Sequence, residues 1–235
     1  LANQRTQLLR SNRKRGDEEI GKAVGSLERV IGQVAGLEPD GGPPDPSVPQ
    51  ADSAIGRLVG LEGAGGSFYF GVFGKLLNQE LGFRRRVKRP PTDPVNALLS
   101  YGYVLLMNKV ASAVQLVGLD PFVGFLHSSQ FGKPALALDL MEELRPVIVD
   151  SVVLTVINNR ILTESDFEQE MGACRLGESG RRSFLAKFEE RLNTEIQHPT
   201  FGYKVTYKRC LELQARLLAK TLTGEIPAYP PFLAR

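Results

Sequence analysis

Apolar positions recur at helical spacing along most of the chain, and the interruptions fall at glycine and proline. Leu8 and Leu9, then Ile20, Val24, Leu27 and Ile31, predict one or two helices between Ala2 and Val34, broken near Gly16. From Leu37 to Ser53 the stretch LEPDGGPPDPSVPQADS cannot continue a helix, because proline lacks an N–H and crowds the preceding turn; it reads as an exposed flexible loop. Asp52 or Ser53 then offers a cap for IGRLVGLEGAGGSFYFGVFGKLL, which is apolar enough for burial despite its glycines. The basic loop FRRRVKRPPTDP ends at Asp93 and Pro94, a helix-start pair, and VNALLSYGYVLLMNKVASAVQLVGL follows as the central helix, stopped by Gly118, Asp120 and Pro121. Another helix is expected from Ala135 to Val156, kinked or divided at Pro146. RRSFLAKFEERLNTEI and VTYKRCLELQARLLAKTL are amphipathic helix candidates, and IPAYPPFLAR is an extended tail. No strand pattern is strong enough to build a sheet and no segment repeats. The expected class is mainly α, organised as a helical entry segment 1–36, a Pro/Gly-rich loop 37–53 and a helical domain 54–235.

Composition narrows the setting. A length of 235 residues with 42% hydrophobic content is enough to bury a sizeable core. Lys and Arg outnumber Asp and Glu by 29 to 26, so any surface for nucleic acid must come from local clustering. Two cysteines, Cys174 and Cys210, lack the spacing of a zinc site or a disulfide framework. No unbroken apolar run reaches membrane-spanning length, and the opening LANQRTQLLRSNRKRGDEEI is too polar for a signal peptide, so a cytoplasmic chain without a membrane partner is expected. It begins with Leu1 and is charged from the outset, as a fragment of a longer polypeptide would be.

Candidate chemistry gathers at few positions. Asp139, Glu142 and Glu143 fall at i, i+3 and i+4, on or near one helix face amid apolar neighbours. Such a cluster is costly to bury unless a cation neutralises it; a solvated stripe is the plainer alternative. Glu62 lies in the glycine-rich VGLEGAGGSFYF, where a DNA backbone can approach closely, or where the glutamate simply faces solvent. His127, in GFLHSSQFGKP, stands in a loop between apolar helices; alone it is an ordinary polar residue, and with the carboxylates it makes a mixed nitrogen and oxygen donor set suited to manganese or magnesium. His198, before Pro199, reads as a loop-shaping residue. The densest positive run is Arg84, Arg85, Arg86, Lys88 and Arg89, beside Phe83. A second comprises Lys204, Lys208 and Arg209 with Tyr203 and Tyr207, and a third Arg13, Lys14 and Arg15. Solvated surface or binding to phosphates and bases both fit such runs.

Longer strings carry more information. LEGAGGSFYF, RRRVKRPPTDPVNALLSYGYVLL, GLDPFVGFLHSSQFGKPALALDLMEELRPVIVD and YKRCLELQARLLAKTLTGEIPAYPPF occur in order and closely resemble the CRISPR-associated spacer integrase, often described as an endonuclease. LANQRTQLLR resembles that family's linker into its helical domain, while the family's amino-terminal β domain has no counterpart here. Gly65 and Gly66 stand where alanines are more usual, a departure expected to affect helix stiffness only.

The resemblance implies a multi-helical catalytic domain with Glu62, His127 and Glu142 as catalytic ligands of Mn²⁺ or Mg²⁺, and Asp139 as a supporting acidic residue. It further implies transesterification, in which a prespacer 3′-hydroxyl attacks a phosphodiester at the edge of a CRISPR repeat, or hydrolysis when water replaces the hydroxyl. Arg84, Arg85, Arg86, Lys88, Arg89, Lys204, Lys208 and Arg209 would then guide double-stranded DNA. Expected partners are a second copy of the chain and a small dimeric adaptation protein, in a prokaryotic cytoplasm. A non-catalytic helical DNA-binding module, or a mobile-element integrase outside a CRISPR locus, are the competing readings.

Overall fold

The computed structural model describes residues 1–38, 53–127 and 130–234. Residues 39–52 of the expected Pro/Gly-rich loop therefore lie outside the described residues. The chain divides into two compact units, Leu1–Leu76 and Leu77–Arg235, so the division follows the third helix and does not coincide with that loop.

The first unit holds α1 (Ala2–Asn12), α2 (Glu18–Ala35) and α3 (Ala54–Phe73). Gly16, at φ +64°, makes the expected break, and the Asp17 carboxylate then accepts the free N–H groups of Glu19 and Ile20 to start α2. Ile20, Ala23, Val24, Leu27 and Val30 form the buried stripe of α2. Ser53 caps α3 by accepting from the Gly56 N–H, and Tyr69, Val72 and Phe73 bury its far end. Gly65 has a packing role beyond stiffness: a Cβ there would lie 2.2 Å from the Leu1 side chain.

The second unit is built around α4 (Pro94–Leu116), capped by Asp93, whose carboxylate accepts the Asn96 N–H at 2.9 Å. By length and composition α4 is apolar enough to cross a bilayer, contrary to the reading of unbroken apolar runs. Here its residues Leu98, Leu99, Leu106, Val110 and Val114 are buried in a protein core. Gly102 permits a close crossing, since a Cβ there would come 2.5 Å from Val149 and 3.2 Å from Phe184.

The helix expected from Ala135 to Val156 is divided at Pro146, as its sequence implies, into α5 (Ala135–Met141), a π-helical turn over Pro146–Asp150, and α6 (Ser151–Asn158). Pro146 cannot donate to the ladder, and the widened turn leaves the Val147 carbonyl to accept from Nε and Nη2 of Arg191 at 2.8 and 2.6 Å. Then come β1 (Phe167–Glu170), β2 (Ala173–Leu176), α7 (Glu178–Leu192), β3 (Glu195–Gln197), β4 (Lys204–Thr206) and α8 (Tyr207–Leu222). The fold is mainly α, with two antiparallel hairpins that the sequence pattern did not reveal. In the first, Phe167 pairs with Leu176, and the turn is Met171 and Gly172, both at positive φ. In the second, Ile196 pairs with Val205, so the ends of two expected helices are strands instead. Cys174 and Cys210 are buried free thiols.

Candidate metal centre

Asp139, on α5, organises the loop that carries His127. Its Oδ2 accepts the N–H groups of Phe125 and Leu126 at 2.6 and 3.0 Å, and its Oδ1 accepts the His127 N–H at 2.9 Å and lies 2.7 Å from His127 Nδ1. Burial pushes the Asp139 carboxyl up, but the His127 ring and the three backbone N–H groups together hold it below its ordinary value. With Nδ1 facing a carboxylate that accepts, the ring proton belongs on Nδ1 and the lone pair of the neutral imidazole on Nε2. This arrangement fits a metal-ligating histidine. Gly124 makes the geometry possible, because a Cβ there would lie 2.7 Å from Ala135 Cβ and 2.9 Å from Asp139 Oδ2.

The three carboxylates expected on one helix face part company, because α5 ends at Met141. Glu142 pairs with Arg145, Oε1 to Nη1 at 2.5 Å. The Arg145 guanidinium lies 4.9 Å over the ring of Tyr103, with that of Arg86 5.5 Å from the same ring. Tyr103 donates to buried Asp150 at 2.7 Å, and burial, with the Asp150 charge second, raises its pKa far above the ordinary phenol value. Glu143 instead accepts from the Tyr229 hydroxyl at 2.5 Å, Gln214 Nε2 at 3.0 Å and the Phe232 N–H at 2.7 Å, which clasps the tail. Burial raises the Glu143 pKa despite these donors.

Glu62 lies half-buried on α3, in the first unit, while His127 and Glu142 belong to the second. Among the described residues, no group of three or more His, Cys, Asp or Glu side chains is placed to hold a metal ion. An imidazole nitrogen and carboxylates are donor types that suit Mn²⁺ or Mg²⁺.

The basic runs prove uneven. Arg84, Arg85, Lys88 and Arg89 are exposed, but Arg86 turns inward, donating to the Val87 carbonyl, Asn96 Oδ1 and Ser100 Oγ at 2.7 to 2.9 Å. Its pKa is lowered by burial, and it is a structural residue rather than one free to meet a phosphate. Lys204, Lys208 and Arg209 are exposed, the last paired with Glu212. Tyr207 is buried beneath Arg191 at 4.5 Å and cannot stack on a base, whereas Tyr203 is exposed. Arg145, Tyr103 and Gly124 were not singled out by sequence reasoning; LHSS and MEELRP carry no spacing signal for interactions made through a turn.

Residues 1–190 match the model of the family described as CRISPR associated protein Cas1. A relative from Thermus thermophilus, named CRISPR-associated endonuclease Cas1 3, is 48% identical over 178 residues, covering 76% of this chain and 54% of its own length. A solved casposase bound to integration product superposes with a TM-score of 0.78 at 27% identity, over 99% of this chain and 60% of that one. A Cas6-RT-Cas1–Cas2 complex gives a TM-score of 0.79 at 26% identity, over 98% of this chain and 23% of its own. The chain spans only between about a third and about half of the length of the first curated relatives it matches. With the family model covering most of the chain, and with a helical fold shared with these structures, the chain belongs to the Cas1 family.

Proposed function

We propose that the chain is the helical catalytic part of a metal-dependent DNA integrase and endonuclease of CRISPR adaptation, joining prespacer 3′-hydroxyl ends to the repeat and able to cleave DNA. The observation that supports this reading is the Asp139 carboxylate holding His127 through its N–H and Nδ1, an arrangement that would leave Nε2 to ligate a metal. His127 and Glu142 would hold Mn²⁺ or Mg²⁺; Glu62 is assigned as third ligand from its motif alone. A divalent cation bound there supplies Lewis acidity toward a phosphodiester oxygen and lowers the pKa of the attacking hydroxyl or water. Asp139 holds the orientation of the imidazole, and Arg145 neutralises the Glu142 charge, so a cation held by Glu142 would compete with that guanidinium. The exposed Arg84, Arg85, Lys88 and Arg89 would guide duplex DNA through salt-sensitive pairing with its phosphates.

The likeness to a Cas6-RT-Cas1–Cas2 complex supports a small Cas2-type partner, and a second copy of the chain completes the proposed assembly in a prokaryotic cytoplasm. A mobile-element integrase is the second reading, favoured by the likeness to a casposase bound to integration product. Target choice separates the two: joining at a repeat edge supports the first, joining at other sites the second.

The test is strand joining with Mn²⁺. Glu62→Ala, His127→Ala and Glu142→Ala should each abolish joining and leave DNA binding largely intact. Joining retained by any one variant removes that residue from the ligand set, and joining retained by all three overturns the metal mechanism.

A further inference from the structure

The β1–β2 hairpin leaves one strand edge open, and its register fixes which main-chain groups face outward. In an antiparallel pair, residues that exchange hydrogen bonds with the neighbouring strand alternate with residues whose N–H and C=O point away from it. Glu170 pairs with Ala173 across the turn at Met171 and Gly172, Glu168 pairs with Arg175, and just beyond the strands the Gly177 N–H donates to the Asp166 carbonyl at 2.9 Å. The outward positions are therefore Phe167 and Gln169 on β1, with Cys174 and Leu176 on β2. The β2 side is covered, since the Cys174 N–H donates to the Pro91 carbonyl at 2.8 Å. On the β1 side the Phe167 N–H is taken by the Glu164 carbonyl. The Phe167 carbonyl and both main-chain groups of Gln169 make no hydrogen bond among the described residues.

Such an edge is a template for another strand. Phe167 and Gln169, two apart, also share a face, and there they line a cavity of about 370 Å³ whose other walls include Glu80, Thr92, Asp93 and Glu164. Asp93 is held by the Asn96 N–H and side-chain amide. Glu80 and Glu164 are exposed, and their carboxylates enter no hydrogen bond or ion pair among the described residues. On the opposite face Glu168 and Glu170 add two more carboxylates, the second paired with Arg175. This charge excludes two occupants. A nucleic-acid phosphate would be repelled, and a second copy of the strand would set its glutamates against one another. It favours an extended segment with lysine or arginine at alternate positions, because a residue added opposite Gln169 points its side chain over the cavity, toward Glu80 and Glu164.

We propose that β1 accepts an added strand from a partner protein, a cationic extended segment that turns the hairpin into a three-stranded sheet and places a basic side chain in the cavity. The surface lies outside the metal chemistry and does not depend on it.

The test measures binding of the full chain to a short fluorescein-labelled peptide of alternating valine and lysine, by anisotropy. Two control peptides accompany it: one with glutamate in place of lysine, and one with every main-chain amide N-methylated, which keeps the charge and removes the donors. The lysine peptide should bind, the glutamate peptide should not, and N-methylation should weaken binding about tenfold. Gln169→Pro removes an outward N–H that the hairpin does not use, so its urea midpoint should stay near wild type while peptide affinity falls about tenfold. Glu80→Gln combined with Glu164→Gln should lower affinity about fivefold and flatten its salt dependence. Equal binding of the lysine peptide and its N-methylated form overturns strand addition, because the attraction is then one of charge alone. That comparison uses the wild-type chain and decides the matter whatever the proline does to folding. Equal binding of the lysine and glutamate peptides, or wild-type affinity in the double glutamine variant, overturns the role of the cavity. A lysine peptide that fails to bind at millimolar concentration overturns the whole docking surface.

Discussion

Arg145 and Glu142 form an ion pair one turn apart, Nη1 to Oε1 at 2.5 Å, so the proposed ligand carboxylate is already neutralised by its own chain. Arg145→Met keeps much of the side chain's length over Tyr103 and removes the charge. Titration of Mn²⁺ by calorimetry should then show affinity rising about three- to tenfold, because the cation no longer competes with a guanidinium. An unchanged affinity would mean that Glu142 is not a ligand or that its partner is exchanged at no cost.

The Asp139–His127 unit gives a separate expectation. Asp139→Asn loses the charge that accepts the His127 ring proton, and Gly124→Ala drives a methyl toward Asp139 Oδ2, 2.9 Å from the new Cβ. Both variants should bind Mn²⁺ about 10- to 100-fold more weakly, the cost usual for losing a ligand's outer support. Wild-type affinity in Gly124→Ala would show that the loop shifts freely and that Asp139 does not position the histidine.

Arg86 and its neighbours should separate by readout. Arg86→Ala removes three hydrogen bonds and is expected to cost about 2 kcal/mol in urea unfolding. Arg84→Ala and Arg85→Ala should leave the urea midpoint alone and flatten the salt dependence of duplex binding, by about 0.9 in slope for each phosphate no longer neutralised. The reverse assignment of effects would return Arg86 to the DNA surface.

His198 predicts a pH dependence. Burial lowers its pKa from 6.5, and its Nδ1 accepts two backbone N–H groups, so the folded chain holds the ring neutral. A depressed folded value means the unfolded chain binds the proton first. The stabilisation is present above pH 6.5 and is lost as pH falls from there through the folded value. His198→Phe should remove that part of the acid slope in urea midpoints measured between about pH 7 and about pH 5. A slope identical to wild type would place the titration elsewhere.

The tail clasp is a stability element. Tyr229→Phe deletes a donor to Glu143 and an acceptor for Gln214 Nε2, at a cost of about 1–2 kcal/mol. Phe232→Ala empties a fully buried site and should cost about 3–5 kcal/mol. Midpoints unchanged in both would show that the tail is not held in solution.

Helix existence was legible where local chemistry decides it. Asp93 before Pro94 and Ser53 before Ala54 begin α4 and α3 at the residues their side chains cap. What escaped was set at a distance. Asp139, Glu142 and Glu143 share a helical spacing, yet a helix ending at Met141 sends them to His127, Arg145 and Tyr229. Arg86 is chemically indistinguishable from Arg85, and only the neighbouring Asn96 and Ser100 turn it inward. Met171 occupies a left-handed turn position where asparagine would have announced a hairpin, and β3 and β4 are too short to alternate visibly. Glu62, His127 and Glu142 are proposed as ligands from motif order alone, since none of their own spacings distinguishes a ligand from a solvated side chain.

A π-turn is an α-helix with one surplus residue, and Pro146–Asp150 places that surplus between α5 and α6. Deleting one position there would let a regular ladder close. It would also swing everything before it by about 100° relative to α6, carrying Glu143 away from Gln214, Tyr229 and Phe232. Apolar substitutions at Val147, Ile148 and Val149 that preserve volume are therefore tolerable, while a change of a single residue in the segment's length is not: it works as a ruler, and its measure is a count.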